Sequence, residues 1–353
     1  MLTSLVAFAL ASPLVPANDP DVSEALAAVF SDAPVPGAVG AILHVGQAPR
    51  IGTYGVAKDG EEAPVTPGAV VHLGSDTKAM TAVLIARLVD KGTLSWTTTV
   101  AGGLPGLVDD IHPDYHEATL LDLLRHTARV PANPPNWRLN ADRPMHERRL
   151  SILREALASA PKGKKGAYGY SNLGYMMAGA IAEEATGETW EVLITREVFE
   201  PLSMSTAGFG VPPTENGGGW GHTVAAGKPT PIRGDNAAAL GPAGTVHMAV
   251  ADWARFLTEF LASGATPGFL SDASRAQLLE VGADNYACGW MVLPRPWAGG
   301  NALHHAGSNT TWFAVVWLAP AQDRGFLVVA NAAGEGVPGV VDQAVAGLIK
   351  ADR

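Results

Sequence analysis

Strand-like runs crowd the two ends of this chain, and helix-spaced runs fill its middle. Near the N-terminus, Gly37 to His44 and Ile51 to Tyr54 read as two strands around a turn containing Gly46. Near the C-terminus, Gly289 to Leu293, Ala302 to His305, Phe313 to Leu318 and Phe326 to Asn331 read the same way. Between them, apolar residues recur at helical spacing from Thr77 to Lys91, closed by Gly92. Further helices are expected at Leu120 to Arg125, Leu150 to Ala158, Leu173 to Ala185, Thr189 to Phe199 and Asp252 to Ala262, and from Leu270 to Val281. Asp21 to Phe30 and Val340 to Lys350 read as opening and closing helices. The expectation is an α/β (α+β) chain. One layer is built from both termini, about 21–80 and 241–353, and a helical part is inserted over about 81–240.

The chain has 353 residues, 47% hydrophobic and 16% charged, which is a globular composition with enough chain for a sizeable core. Its single cysteine, Cys288, excludes an intrachain disulfide and a cysteine-based metal cluster. A net charge of −10 with no basic run argues against nucleic acid or an anionic membrane as the main partner. Met1 to Ala17 (MLTSLVAFALASPLVPA) is apolar and ends near a cleavage-like Val15-Pro16-Ala17. It is shorter than the roughly 20 apolar residues of a membrane span, and it lacks the Lys or Arg of an ordinary leader. The expectation is export to a periplasmic or secreted location, with 1–17 as a candidate signal peptide and 18–353 as one catalytic domain; the alternative is a cytoplasmic chain.

Three short motifs carry chemistry. In Ser75-Asp76-Thr77-Lys78, at the start of a helix, residues i and i+3 share a face, so the lysine amine sits near the serine hydroxyl. A serine becomes a nucleophile when a base takes its proton, and a buried lysine can be or tune that base. The ordinary reading of Ser75 is a helix N-cap. Tyr170-Ser171-Asn172 offers a phenol that can shuttle a proton and an amide that can orient the lysine. Its ordinary reading is a turn capping the helix that starts near Leu173. His305-Ala306-Gly307-Ser308 offers a strand edge where glycine admits a substrate, and a following N–H that can serve an oxyanion. Each pattern is weak alone. Ser159 to Lys162 repeats the first on what reads as a solvated loop, and His44-Val45-Gly46 repeats the third.

Their order and context resemble the serine β-lactamase and penicillin-binding-protein superfamily, in its class C-like branch. The supporting text runs through LGSDTKAMTAVLIARLVDKGTL at 73–94, YSNLGYMMAGAIAEEATGETW at 170–190, FEPLSMSTAGF at 199–209, AGTVHMAVADWARFL at 243–257 and HHAGSNTTWF at 304–313. The resemblance covers Pro36 to the C-terminus. It implies a β-lactamase/transpeptidase-like fold with an antiparallel sheet flanked by helices. It implies Ser75 as acylated nucleophile, Lys78 as its proton partner, Tyr170 as general base and Asn172 as orienter. His305 stands at the position of lysine in many relatives, and the N–H groups of Ser75 and Ser308, beside Gly307, would form the oxyanion hole. It implies a hydrolase acting through an acyl-enzyme on an ester, D-amino-acid peptide or β-lactam, without cofactor or metal, on a small-molecule or short-peptide substrate. The alternative is a non-catalytic member of the same fold that binds a peptide or cell-wall fragment.

The chain departs from that pattern in places. LLRHTARVPA at 123–132 carries Ala128-Arg129 where the family has Ser-Gly, Met248 replaces a usual serine, and no glycine follows in Ser308-Asn309-Thr310-Thr311. With His305 in place of lysine, these favour an esterase or peptidase over a dedicated β-lactamase. His112 and His116 have zinc-like spacing, but Pro113 between them argues against a metal site. His126 reads as a helix-end residue, and Trp290, Trp312 and Trp317 read as core or cleft wall.

Overall fold

A computed structural model describes residues 16–352. The leader expected at 1–17 falls outside them except for Pro16 and Ala17. In chain order the strands are β1 (Gly37–His44), β2 (Arg50–Gly55), β3 (Val70–His72), β4 (Gly208–Phe209), β5 (Gly221–Ala225) and β6 (Lys228–Ile232). They continue with β7 (Val246–Ala249), β8 (Met291–Arg295), β9 (Gly300–Ser308), β10 (Phe313–Ala319), β11 (Arg324–Ala330) and β12 (Ala333–Gly334). Six form one antiparallel sheet in the order β2-β1-β11-β10-β9-β8. The two ends of the chain meet at its centre, where Ala41 pairs with Leu327 and Ile42 with Phe326.

Both faces of this sheet are covered, so its central strands are buried almost throughout. The pleat sends alternate residues to opposite sides. Phe326, Val328 and Ala330 pack against Val22, Leu26 and Phe30 of the helix Pro20–Phe30 and Val341, Val345 and Leu348 of the helix Val337–Ala351. Asp19 caps the first of these helices by accepting from the N–H groups of Asp21 and Val22, both at 3.1 Å. Leu327 and Val329 face the other way, into the larger core with Met80, Val83 and Leu84. The helix Thr77–Asp90 runs through that core. It is apolar on all sides, and so all of Thr77 to Ala86 is buried.

The segment 81–240 is not purely helical. It carries β4, β5 and β6 in two small sheets, ordered β12-β5-β6 and β3-β7-β4. β6 reads KPTPI and hides as a strand because proline cannot donate to a ladder; it is tolerated here because β6 is an edge strand. The helix expected from Thr189 to Phe199 is α-helical over Trp190–Ile194 and continues as a π-turn over Thr195–Phe199.

Candidate active site

From Ala69 to Ala86, Ser75 is the one residue that is not buried. It lies in a 3₁₀ turn, Gly74–Asp76, that leads directly into the helix Thr77–Asp90. Gly74 makes the turn feasible. Its φ is +53°, and a Cβ there would lie 2.2 Å from the Ser308 nitrogen. Gly307 is equally confined, since a Cβ on it would meet the Leu73 carbonyl at 2.0 Å and the Ser75 nitrogen at 2.8 Å. The close approach of two glycines therefore brings the backbones of Ser75 and Ser308 to one corner. Thr77 locks the turn by donating to the Gly74 carbonyl at 2.7 Å and accepting from Val246 N at 3.2 Å.

Lys78 is fully buried one turn further on. Its Nζ lies 3.0 Å from Ser75 Oγ, 2.7 Å from Asn172 Oδ1 and 2.7 Å from the Ala243 carbonyl. Burial pushes the amine well below its ordinary value, and the nearby Asp76 opposes that shift in part. A neutral amine fits these three partners, donating to Asn172 and Ala243 and accepting from the serine hydroxyl. An ammonium fits them too, as three donors.

Tyr170 and Asn172 arrive from the start of the helix Asn172–Thr186. Ser171 is its N-cap, accepting from Gly174 N at 2.8 Å and donating to the Pro131 carbonyl at 2.7 Å. The capping and functional readings of this motif are thus compatible. The serine does the capping and leaves the Asn172 amide to hold Lys78 on one side and Asn133 Oδ1, at 3.0 Å, on the other. The Tyr170 ring lies 4.8 Å from Lys78 Nζ. Burial pushes its phenol above the ordinary value, and the Ser75 hydroxyl pulls it back in part.

His305 points to the same side of the sheet, and its neighbour His304 turns to the other, where it stacks on Trp317 at 4.2 Å. His305 is 5% exposed, with Nδ1 3.3 Å from Asp76 Oδ1 and Nε2 3.4 Å from the Tyr286 hydroxyl. Ser308 Oγ is committed to its own turn, donating to the Trp312 carbonyl at 2.7 Å.

Four more polar residues gather near this centre. Asp76 is buried, and neither of its oxygens has an aligned hydrogen bond. Burial raises its carboxyl above the usual range while His305 and Lys78 pull it down. His72 accepts from Gly74 N at 2.9 Å through Nδ1, and its Nε2 lies 2.7 Å from Asp235, so a dyad supports the turn that carries Ser75. His126 is buried and accepts from Ser171 N at 3.1 Å, with its ring 4.6 Å from that of Tyr170. Burial holds this imidazole well below its ordinary value, and Lys78 and His305 add to that. Ser159 and Lys162, the second serine–lysine pair, are exposed on a loop. The rings of His112 and His116 are engaged by backbone groups, Asp114 N and the Val108 carbonyl.

A family model described as Beta-lactamase matches residues 23–350 of this sequence. The chain belongs to the beta-lactamase family. Penicillin-binding protein 4 of Amycolatopsis lactamdurans is 27% identical over 308 residues, covering 81% of this chain and 78% of that protein. Protein flp of Staphylococcus aureus strain N315 is 23% identical over 321 residues, covering 87% of this chain, which spans 62% of that relative's length. The crystal structure of a class C beta lactamase from Rhodobacter sphaeroides superposes with a TM-score of 0.75 at 22% identity, covering 94% of this chain and 98% of that one. The fold is that of β-lactamases and penicillin-binding proteins, a family generally made of serine hydrolases. Among the described residues no helix is long and apolar enough to cross a membrane.

Proposed function

We propose that this chain is a serine hydrolase that works through an acyl-enzyme on Ser75, with an ester or a D-amino-acid peptide as its substrate class. The observation that supports it best is the Lys78 amine, fully buried, desolvated and 3.0 Å from the one presented hydroxyl of the turn. A lysine so placed spends a larger part of the pH range unprotonated, which is what a base for serine requires.

In this reading Lys78 takes the Ser75 proton as Oγ attacks the substrate carbonyl, and Asn172 and Ala243 hold the ammonium that forms. The direction of the Tyr170 shift disfavours a resident phenolate. Tyr170 therefore acts as a neutral relay that passes a proton to the leaving group, rather than as the primary base. The N–H groups of Ser75 and Ser308 receive the oxyanion. His305 stays inside, between Asp76 and Tyr286, and fixes the β9 edge beside Gly307 rather than reaching into solvent. Water then releases the acyl group. Chain export, with residues 1–17 removed, is part of the same proposal and rests on the composition of that segment.

The test is turnover of activated short-chain esters, D-amino-acid peptides and a β-lactam by the wild-type chain and by Ser75→Ala. Turnover of at least one class, lost in Ser75→Ala with the melting transition kept, is the expected result. Turnover that survives Ser75→Ala overturns Ser75 as the nucleophile, and none in a folded protein that still binds peptides or cell-wall fragments favours the binding alternative.

A further inference from the structure

A cavity of about 470 Å³ opens beside Tyr170, between the loop after Leu124 and the exposed loop at 159–169. Its walls are largely apolar, with Tyr115, Pro131 and Tyr170 among them, and its size suits a small organic group. Arg129, Lys162 and Lys164 also line it, and no residue lining it is acidic. That accumulation of positive charge stands out on a chain of net charge −10. A low-dielectric wall with one sign of charge attracts the opposite ion.

Arg129 is the group placed to bind. Its side chain is 18% exposed, and its ion-pair partner, Asp114, is at 3.8 Å and itself 54% exposed; on its other side Arg129 shares a smaller pocket with Asp114, Glu117 and Asp122. The Arg129 backbone has φ of +59°, in the left-handed region. Glycine sits there without strain, whereas a residue with a Cβ is disfavoured. An arginine therefore stands at a position whose backbone glycine fills with less strain, which directs attention to what its side chain does.

We propose that this cavity is a leaving-group subsite, which takes an apolar alcohol or amine bearing a carboxylate and pairs that carboxylate with Arg129. The inference rests on the hydrolase reading: Tyr170 walls the cavity, and it is the group that hands a proton to the leaving group. An aryl or alkyl body covers Tyr115 and Pro131, and the carboxylate meets the guanidinium fork, which suits two parallel hydrogen bonds. Lys162 and Lys164 sit on the exposed loop and raise the local concentration of anions.

The experiment compares two acetyl esters, 4-acetoxybenzoate and its neutral methyl ester. The readout is the ratio of their kcat/KM values in wild type, Arg129→Gln, Arg129→Lys and Arg129→Gly. The last removes the left-handed strain and so guards against a variant that merely misfolds. The wild-type chain is expected to favour the anion. Arg129→Gln and Arg129→Gly should lower the ratio by about 10- to 100-fold, mainly through KM, with Arg129→Lys in between. A wild-type ratio near one, or a ratio that survives Arg129→Gln, overturns the subsite. A second measurement separates its failure from failure of the hydrolase reading. 4-Hydroxybenzoate is titrated by calorimetry into Ser75→Ala, with and without Arg129→Gln. Saturable binding weakened by Arg129→Gln supports the subsite even if no ester is hydrolysed, and its absence overturns the subsite even if esters are hydrolysed.

Discussion

The two faces of the central sheet are built to different specifications. Against the face of Phe326 and Val328, the first and last helices contribute Val22, Leu26, Phe30, Val341 and Leu348, an apolar layer. On the opposite face, Lys78, Asp76, His126 and His305 are buried in the same core that holds Met80 and Val83. Apolar burial stabilises in proportion to area and asks for little else. Burying an amine, a carboxyl and two imidazoles costs desolvation that their contacts only partly return. A fold that needed only stability would fill both faces in the same way. The difference matches the proposed chemistry, which uses the second face and not the first.

The comparison breaks most sharply at Lys78. Lys78→Met keeps the volume and removes the buried amine. Hydrolysis is expected to fall by about 10²- to 10⁴-fold, the usual contribution of a positioned base, while the melting temperature holds or rises. A melting temperature that falls steeply would mean the amine is structural. The pH dependence has a definite sign. The folded amine titrates below its ordinary value, so the unfolded chain binds more protons between the two values. Stability should therefore rise with pH across that interval. kcat/KM should fall as acid protonates the folded amine, and this acid limb should vanish in Lys78→Met.

The other face answers differently. Phe326→Ala should cost about 3–5 kcal/mol in denaturant unfolding and leave kcat per folded molecule at the wild-type value. A smaller effect is expected at His126, which meets the site through Ser171 N and the rings of Tyr170, Tyr175 and Tyr286. His126→Leu strands the Ser171 N–H and should lower kcat by about 10-fold with little change in KM. His126→Asn keeps an acceptor at the Nδ1 position and should recover most of that loss. Equal losses in both variants would assign His126 to packing alone.

Much of this was legible in the sequence, and the limits have physical reasons. The main sheet was visible because β1, β10 and β11 are continuous apolar runs at opposite ends of the chain. Ser75, Lys78 and the Tyr170 to Asn172 turn, which the proposed mechanism uses, were visible as candidates because each is a local pattern. His72, Asp235 and His126 were not, because their meaning lies in contacts across the fold: His72 meets Asp235 from far along the chain, and His126 meets Ser171. Asp76 was in plain view within the first motif, yet only burial distinguishes it from a surface aspartate. The ordinary reading of this motif as a helix cap, by Ser171 or Asn172, holds with Ser171 as the cap, and the next residue carries the amide that holds Lys78.

The account stands or falls on where an acyl group attaches. Intact mass should be followed with peptide mapping after incubation with an activated short-chain ester and, separately, with a β-lactam. One acyl adduct on the peptide carrying Ser75, absent in Ser75→Ala, is the predicted result. An adduct mapped to Ser159, Ser171 or another residue, with Ser75 unmodified, would contradict it.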